Sequence, residues 1–462
     1  MIATELEPGA LVDGFRIESR LHAGGMAVIY AVSRSDLPMP AVMKIPRLGQ
    51  GESSASVVSF EVEQMVLETL DGGPVPRVFA LGEIVREPYI VMERVSGQPL
   101  SALTPPLALP ELVRTGIALA HAIQQLHERD VIHLDLKPAN VMLADDGRAV
   151  LIDLGLAHHA HLPDLLAEEF RRPLGSAPYI SPEQVLGIRN EARSDLFALG
   201  AILYELATGE LPFGMPSSQA GLRKRLHERP LPPRRRVPTL PEALQEVILH
   251  CLEADPERRY ASAAQVAFDL QHLDQVEITD RGRAQQRPGM FGRLRNWVTG
   301  MGMEPETLAT PAARVHEAPI IMVAVATAYT NEAHQQSLRE AAGRFAAAIP
   351  GARIACVTAV RPPPSMGGDD DALSAPRVRI LQLQQLRHWA EGLPSARLTF
   401  HVLENSDAAD ALLEYARANH VDHILLGAPP PDLIGRSLLP PVAERVMNEA
   451  PCSVTVVRAR IA

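Results

Sequence analysis

Strand-type and helix-type patterning follow one another along this 462-residue chain in an order that changes character twice, which limits what it can fold into. Short runs rich in β-branched and apolar residues at 15–21, 28–32, 41–46 and 89–95 predict strands. Helical periodicity then takes over at 112–128, 193–208, 242–253 and 263–273, the last with Ser262 placed to cap it. A strand-rich part followed by a helical part predicts two lobes over residues 14–274. From 275 to 318 no period holds: Gly and Arg crowd 281–295, then Pro, Thr and Ala crowd 301–312, as in a linker. From 319 to 458 near-continuous apolar strands at 320–326, 353–360, 398–403, 423–427 and 453–457 are separated by helical segments at 332–348, 377–392, 407–419 and 442–449. That alternation predicts an α/β domain with a doubly wound parallel sheet.

A chain of this length suits two cores better than one. A net charge of −11 argues against a nucleic-acid partner, which would ask for a basic face. Cys251, Cys356 and Cys452 form no CxxC pair, so neither a disulfide framework nor a thiolate zinc site is expected. Residues 1–10 lack both a basic leader and an apolar stretch, so no signal peptide is expected. The longest apolar run, 196–206, is interrupted by Gly200, Tyr204 and Glu205 and falls short of the ~20 residues a membrane span needs. A cytoplasmic protein is the expectation. Residues 290–298 could form a short amphipathic helix, expected to pack on a neighbouring domain rather than a membrane.

Phosphoryl transfer asks for cradled phosphates, metal ions held by oxygen ligands, a positive group on the nucleotide, and a base near the acceptor hydroxyl. Residues 131–143 read VIHLDLKPANVML, and 151–155 read LIDLG. Upstream lie LHAGGMAVIY at 21–30, AVMK at 41–44, FEVE at 60–63 and MERV at 92–95. Downstream lie GSAPYISPE at 175–183, RSDLF at 193–197 and DPERRY at 255–260. In this order these segments resemble the protein-kinase family, in its bacterial eukaryotic-like Ser/Thr form. The resemblance implies a two-lobed α+β fold, ATP and Mg2+ (or Mn2+) as cofactors, and protein substrates.

It also implies roles. Asp135 would orient the substrate hydroxyl and accept its proton, Lys137 would neutralise charge on the moving phosphoryl group, and Asn140 and Asp153 would hold metal. Gly24 and Gly25 would let backbone amides approach the phosphates, where no Cβ intervenes. Lys44 would bind the nucleotide and pair with Glu63, with Glu61 as the rival for that position, and the backbone at Glu93 and Val95 would hold the adenine. Glu183 would pair with Arg259, and Asp195 would brace the catalytic loop. Lys137, two residues after Asp135, resembles Ser/Thr rather than tyrosine kinases.

The departures matter as much. His22 and Ala27 stand where the family usually has glycine, and Leu134 stands where many members carry arginine. That arginine normally pairs with a phosphorylated residue of the activation loop. Here residues 156–175 contain no Ser, Thr or Tyr, and Ser176 is the nearest hydroxyl. The expectation is a kinase that does not depend on activation-loop phosphorylation; a nucleotide- or partner-binding pseudokinase scaffold is the alternative. His158, His159 and His161 are expected to be a solvated cluster rather than a metal site.

Within 319–458, IMVAV at 321–325, ILLG at 424–427 and EAPCSVTVV at 449–457 resemble the universal stress protein family. Nucleotide-binding members carry a glycine motif after the fourth strand and an aspartate after the first. Here the corresponding positions are Pro430, Pro440, Pro441 and Ala326. Proline has no N–H to give a phosphate. This domain is therefore expected not to bind ATP but to act as a regulatory or dimerising module, with a homodimer through it as one consequence.

Overall fold

The structure, a computed structural model, describes residues 6–24, 26–47, 54–84, 88–170, 172–286, 319–327, 332–349, 352–361, 375–393, 398–428 and 441–458. Strands β1 (Leu11–Val12), β2 (Phe15–Ala23), β3 (Ala27–Ser33) and β4 (Ala41–Pro46) precede helix α1 (Ala55–Glu68) and strands β5 (Val78–Leu81) and β6 (Ile90–Glu93). The six strands form an antiparallel sheet in the order β1-β2-β3-β4-β6-β5. Period-two alternation gives it one apolar face, where Phe15, Ile17, Tyr30, Met43 and Val91 are buried together.

The second lobe runs through β7 (Gly97–Pro99), α2 (Leu109–His127), β8 (Val131–Ile132), β9 (Val141–Ala144), β10 (Ala149–Leu151), β11 (His158–His159) and the short α3 (Leu165–Glu169). It continues through α4 (Pro182–Val185), α5 (Arg193–Thr208), α6 (Gln219–Arg223), α7 (Glu242–Cys251), α8 (Ala263–Gln271) and α9 (Asp280–Arg283). Helix α5 is almost wholly buried, with α2 and α7 against it and α8 on α2. Small ribbons, β11 on β8 and β9 between β10 and β7, fix the loops beside this helical core.

Part of the stretch expected to be linker is docked. The Glu246 carboxylate on α7 accepts from Thr279 Oγ1 (2.9 Å), Arg281 Nε (2.8 Å) and the Gly282 N–H (2.7 Å). The segment 290–298 lies outside the described residues.

Residues from 320 onwards form β12 (Ile320–Ala324), α10 (Glu332–Ala348), β13 (Arg353–Val360), α11 (Ala375–Ala390), β14 (Leu398–Glu404), α12 (Ala408–Ala418), β15 (His423–Ala428), α13 (Pro441–Glu449) and β16 (Ser453–Arg458). Five parallel strands stand in the order β14-β13-β12-β15-β16, so the winding reverses at β12. This is the doubly wound sheet the alternation predicts, with β12 and β13 buried. Its α11, β14 and α12 touch α1 and α3 of the N-terminal part. Among the described residues no helix is long and apolar enough to cross a membrane.

Candidate functional site

The cleft between the first sheet and the helical lobe gathers charge from elements far apart in the chain. Lys44, near the end of β4, sends its ammonium to both oxygens of Glu63 on α1 (2.8 and 2.6 Å) and to Asp153 Oδ1 (2.8 Å). Two carboxylates therefore share one ammonium. Burial alone would pull Lys44 down, but Asp153 and Glu63 outweigh it and hold it above its ordinary value. Lys44 in turn draws Asp153 down to about 2, so that carboxylate stays ionised. Glu63 pays the difference: burial, aided by the charge of Asp153, pushes its carboxyl up to about 7. Glu61, the rival for this position, faces elsewhere and pairs with Arg387.

Below the cleft, Asp135 is buried and its carboxylate is fully engaged. Lys137 Nζ lies 2.8 Å from Oδ2, Asn140 Nδ2 lies 3.1 Å from Oδ2, and the Ser176 N–H donates to Oδ1 (2.7 Å). Asn140 also donates to the Asp135 carbonyl (2.9 Å), so the loop 135–140 is tied across its own mouth. Lys137 reaches Ser176 Oγ as well (3.0 Å). Ser176 thus belongs to the constellation; a lone serine beyond a loop gave no sequence signal for that.

Backbone strain marks this loop and the segment after β10. Leu134 and Asp153 have positive φ (61° and 66°), unusual for side chains of this size. Asp195 at the start of α5 holds the first of these, accepting from the N–H groups of His133 (2.8 Å) and Leu134 (2.9 Å) and contacting His127 Nε2 (2.9 Å). Gln184, which sequence reading passed over, donates to the Leu134 carbonyl (2.7 Å) from within a capping box with Ser181. Glu183 and Arg259 form a two-pronged ion pair (2.6 and 2.8 Å) with both side chains fully buried.

Gly24 donates its N–H to the Ala27 carbonyl (2.9 Å), and the His22 ring lies beside the space a Cβ on Gly24 would occupy. Gly25 lies outside the described residues. Glu93 ends β6 with its N–H on the Arg77 carbonyl (2.8 Å), and Val95 follows in the connection to the second lobe. Gly155 approaches α1 closely: a Cβ there would stand 3.2 Å from the Ser59 carbonyl oxygen. His158 and His159 pair with β8, and among the described residues no group of three or more His, Cys, Asp or Glu side chains could hold a metal.

The donor set in the cleft suits a small hard cation. Asp153, whose side chain is 42% exposed, could offer a carboxylate, and Asn140 an amide oxygen. Few protein oxygens beside open space are what a cation that keeps waters and phosphate ligands requires.

Residues 15–270 match the family model for the protein kinase domain, and residues 319–458 match that for the universal stress protein family. A probable serine/threonine-protein kinase of Corynebacterium efficiens is 30% identical over 313 residues, covering 65% of this chain and 45% of that protein. A serine/threonine-protein kinase of Myxococcus xanthus is 32% identical over 290 residues (61% and 41%). The kinase PknB of Mycobacterium tuberculosis is 30% identical over 301 residues (62% and 48%). The chain spans less than half the length of each of these relatives.

Proposed function

The chain belongs to the protein kinase family, and from that premise we propose that it is an ATP-dependent Ser/Thr protein kinase. Its domains are 14–274 and 319–458, joined by 275–318. The observation that carries this reading is the joined constellation: Lys44 between Glu63 and Asp153, and Asp135 held by Lys137, Asn140 and the Ser176 N–H. Asp135 orients the substrate hydroxyl and takes its proton, while Lys137, already 2.8 Å from that carboxylate, offsets charge on the transferring group. Lys44 aligns the nucleotide phosphates, and Gly24 and Gly25 let backbone amides approach them. The backbone at Glu93 and Val95 receives the adenine. Asn140 and Asp153 would hold Mg2+ (Mn2+ as a substitute), which when bound screens the phosphate charge.

Activity without activation-loop phosphorylation is supported by the absence of any Ser, Thr or Tyr in 156–175 together with Leu134 in place of arginine. The C-terminal domain is regulatory and leaves ATP alone. The crevice at its winding reversal is narrow at β15, where a Cβ on Gly427 would collide with the His334 ring. Pro441 opens α13, and Ala326 offers no carboxylate, while Pro430 and Pro440 lie outside the described residues. Among the described residues strand β16 pairs only with β15, so a homodimer across that edge is the dimerising version, checked by light scattering.

Transfer of labelled phosphate from ATP to a generic basic protein tests the reading. Asp135→Asn is expected to reduce the rate by about 10²–10⁴-fold, and phosphatase pretreatment of the wild type to leave it unchanged. Nucleotide binding without any transfer would favour the pseudokinase scaffold instead. Equilibrium binding to the full chain is expected to saturate at one ATP per chain; a second equivalent would overturn the assignment of the C-terminal domain.

A further inference from the structure

The activation segment carries two adjacent carboxylates, Glu168 and Glu169, and the C-terminal domain meets them with a buried basic cluster. Arg353 at the start of β13 lies 2.7 Å from Glu168 Oε1. Arg379 on α11, only 1% exposed, lies 2.5 Å from Glu169 Oε2 and donates to the Val402 carbonyl (2.9 Å). His401 on β14 stands between the two carboxylates, 3.2 Å from each. Tyr415 on α12 donates its hydroxyl to Glu168 Oε2 (2.9 Å). Further along α11, Arg387 reaches Glu61 (2.9 Å), two residues before Glu63 on α1.

These contacts fall on the two elements whose placement completes the cleft. Helix α1 carries Glu63, the partner of Lys44. The segment holding α3 runs on into Gly175 and Ser176, whose N–H engages Asp135. In the family that the chain belongs to, an arginine before the catalytic aspartate and a phosphorylated loop residue normally do this work. Here Leu134 has no charge to offer, and the negative charge is genetically encoded at 168 and 169 while the positive charge comes from a different domain.

Helix α3 is five residues long, too short to hold itself. Asp164 caps it and pairs with Arg189 (2.8 Å), tying its start to the kinase part. Its end, at Glu168 and Glu169, is held by the C-terminal domain.

We propose that the C-terminal domain is a built-in activator, in which Arg353, Arg379 and His401 clamp Glu168 and Glu169 of the activation segment while Arg387 holds α1 through Glu61. The sign follows from the state of the cleft: with the clamp closed, Lys44 and Glu63 are paired and Asp135 is engaged. This rests on the kinase reading above and gives its regulatory domain a mechanism. A signal that moves the C-terminal domain would switch the kinase without any phosphate on the loop.

The test uses the full chain. Arg379→Met and the milder Glu168→Gln, which keeps the shape but removes the charge and turns one acceptor oxygen into a donor, are compared with wild type in two readouts. One is phosphoryl transfer to a generic basic protein; the other is amide hydrogen exchange over 55–68 and 156–175. Transfer is expected to fall by about tenfold or more in Arg379→Met and by less in Glu168→Gln, within the usual range of intersite coupling. Exchange should rise at both segments. The charge-swapped pair Glu169→Arg with Arg379→Glu should recover part of both. Faster transfer in the single variants would make the contact a brake and overturn the proposal, as would unchanged exchange at 156–175. A wild type that transfers nothing would sink the kinase reading, and the exchange readout would still decide whether the clamp holds the segment.

Discussion

At Glu63 a requirement of chemistry opposes one of stability. Its carboxyl is pushed up to about 7 from an ordinary 4.5, by burial first and by Asp153 second. A folded value above the unfolded one means Glu63 supports the fold fully as a neutral acid below about pH 4.5. That support is lost as pH rises through about 7. The ion pair with Lys44 needs the ionised form, so the cleft is assembled at a cost near neutrality. Glu63→Gln should therefore inactivate the kinase. Its thermal midpoint relative to wild type should nevertheless climb by about 5 °C or more between pH 5 and pH 8 without nucleotide, since a pKa unit is worth about 1.4 kcal/mol and each kcal/mol about 2–4 °C. A constant difference across that range would contradict the assignment. Ser176 gives a contrasting case. Ser176→Ala deletes one hydrogen bond to a charged donor but keeps the N–H on Asp135. Transfer should drop by about tenfold, a share of the 1.5–3 kcal/mol such bonds contribute, and phosphatase treatment should not mimic it.

The elements differ in how legibly the sequence announces them. Strands such as β3 alternate buried and half-buried positions, and β12 and β13 are continuous apolar runs, so periodicity marks them. Helices α2 and α7 show one apolar face, and their extents agree with the pattern to within a few residues. Helix α1 shows no such stripe. Ten of its 14 residues, Ser56, Ser59, Glu61 and Glu63 among them, are buried, because the lobe covers one side and the C-terminal domain another. Only the kinase-like order of motifs pointed to Glu63. The same order located Lys44, Asp135, Lys137, Asn140 and Asp153, which the fold brings into one cleft. The clamp was not legible at all: Arg353, Arg379 and His401 sit on three elements, and their partners lie more than 180 residues upstream. No local spacing encodes that meeting. The link between α4 and the segment after α7 was legible as a pair, and its burial sets its weight. Arg259→Met leaves Glu183 charged and fully buried, which should destabilise the protein by about 3–5 kcal/mol in denaturant unfolding. A loss under about 1 kcal/mol would mean that water reaches Glu183.

For the molecule as a whole, a clamp between the C-terminal domain and the activation segment must work in both directions. If closing it favours the nucleotide-ready cleft, nucleotide in the cleft must favour closing it by the same factor. The route is short and made of named contacts: Asp153 to Lys44, Lys44 to Glu63 on α1, Glu61 on the same helix to Arg387 on α11. Asp135 and Ser176 lead by a second route through the segment to Glu169 and Arg379. A non-hydrolysable ATP analogue with Mg2+ should then slow amide exchange not only around the cleft but also in α11, β14 and α12, which hold no nucleotide in this reading. In Arg379→Met the cleft should still be protected, while the protection at α11, β14 and α12 should shrink several-fold. Equal protection of those three elements in wild type and variant would mean that the two domains touch without communicating.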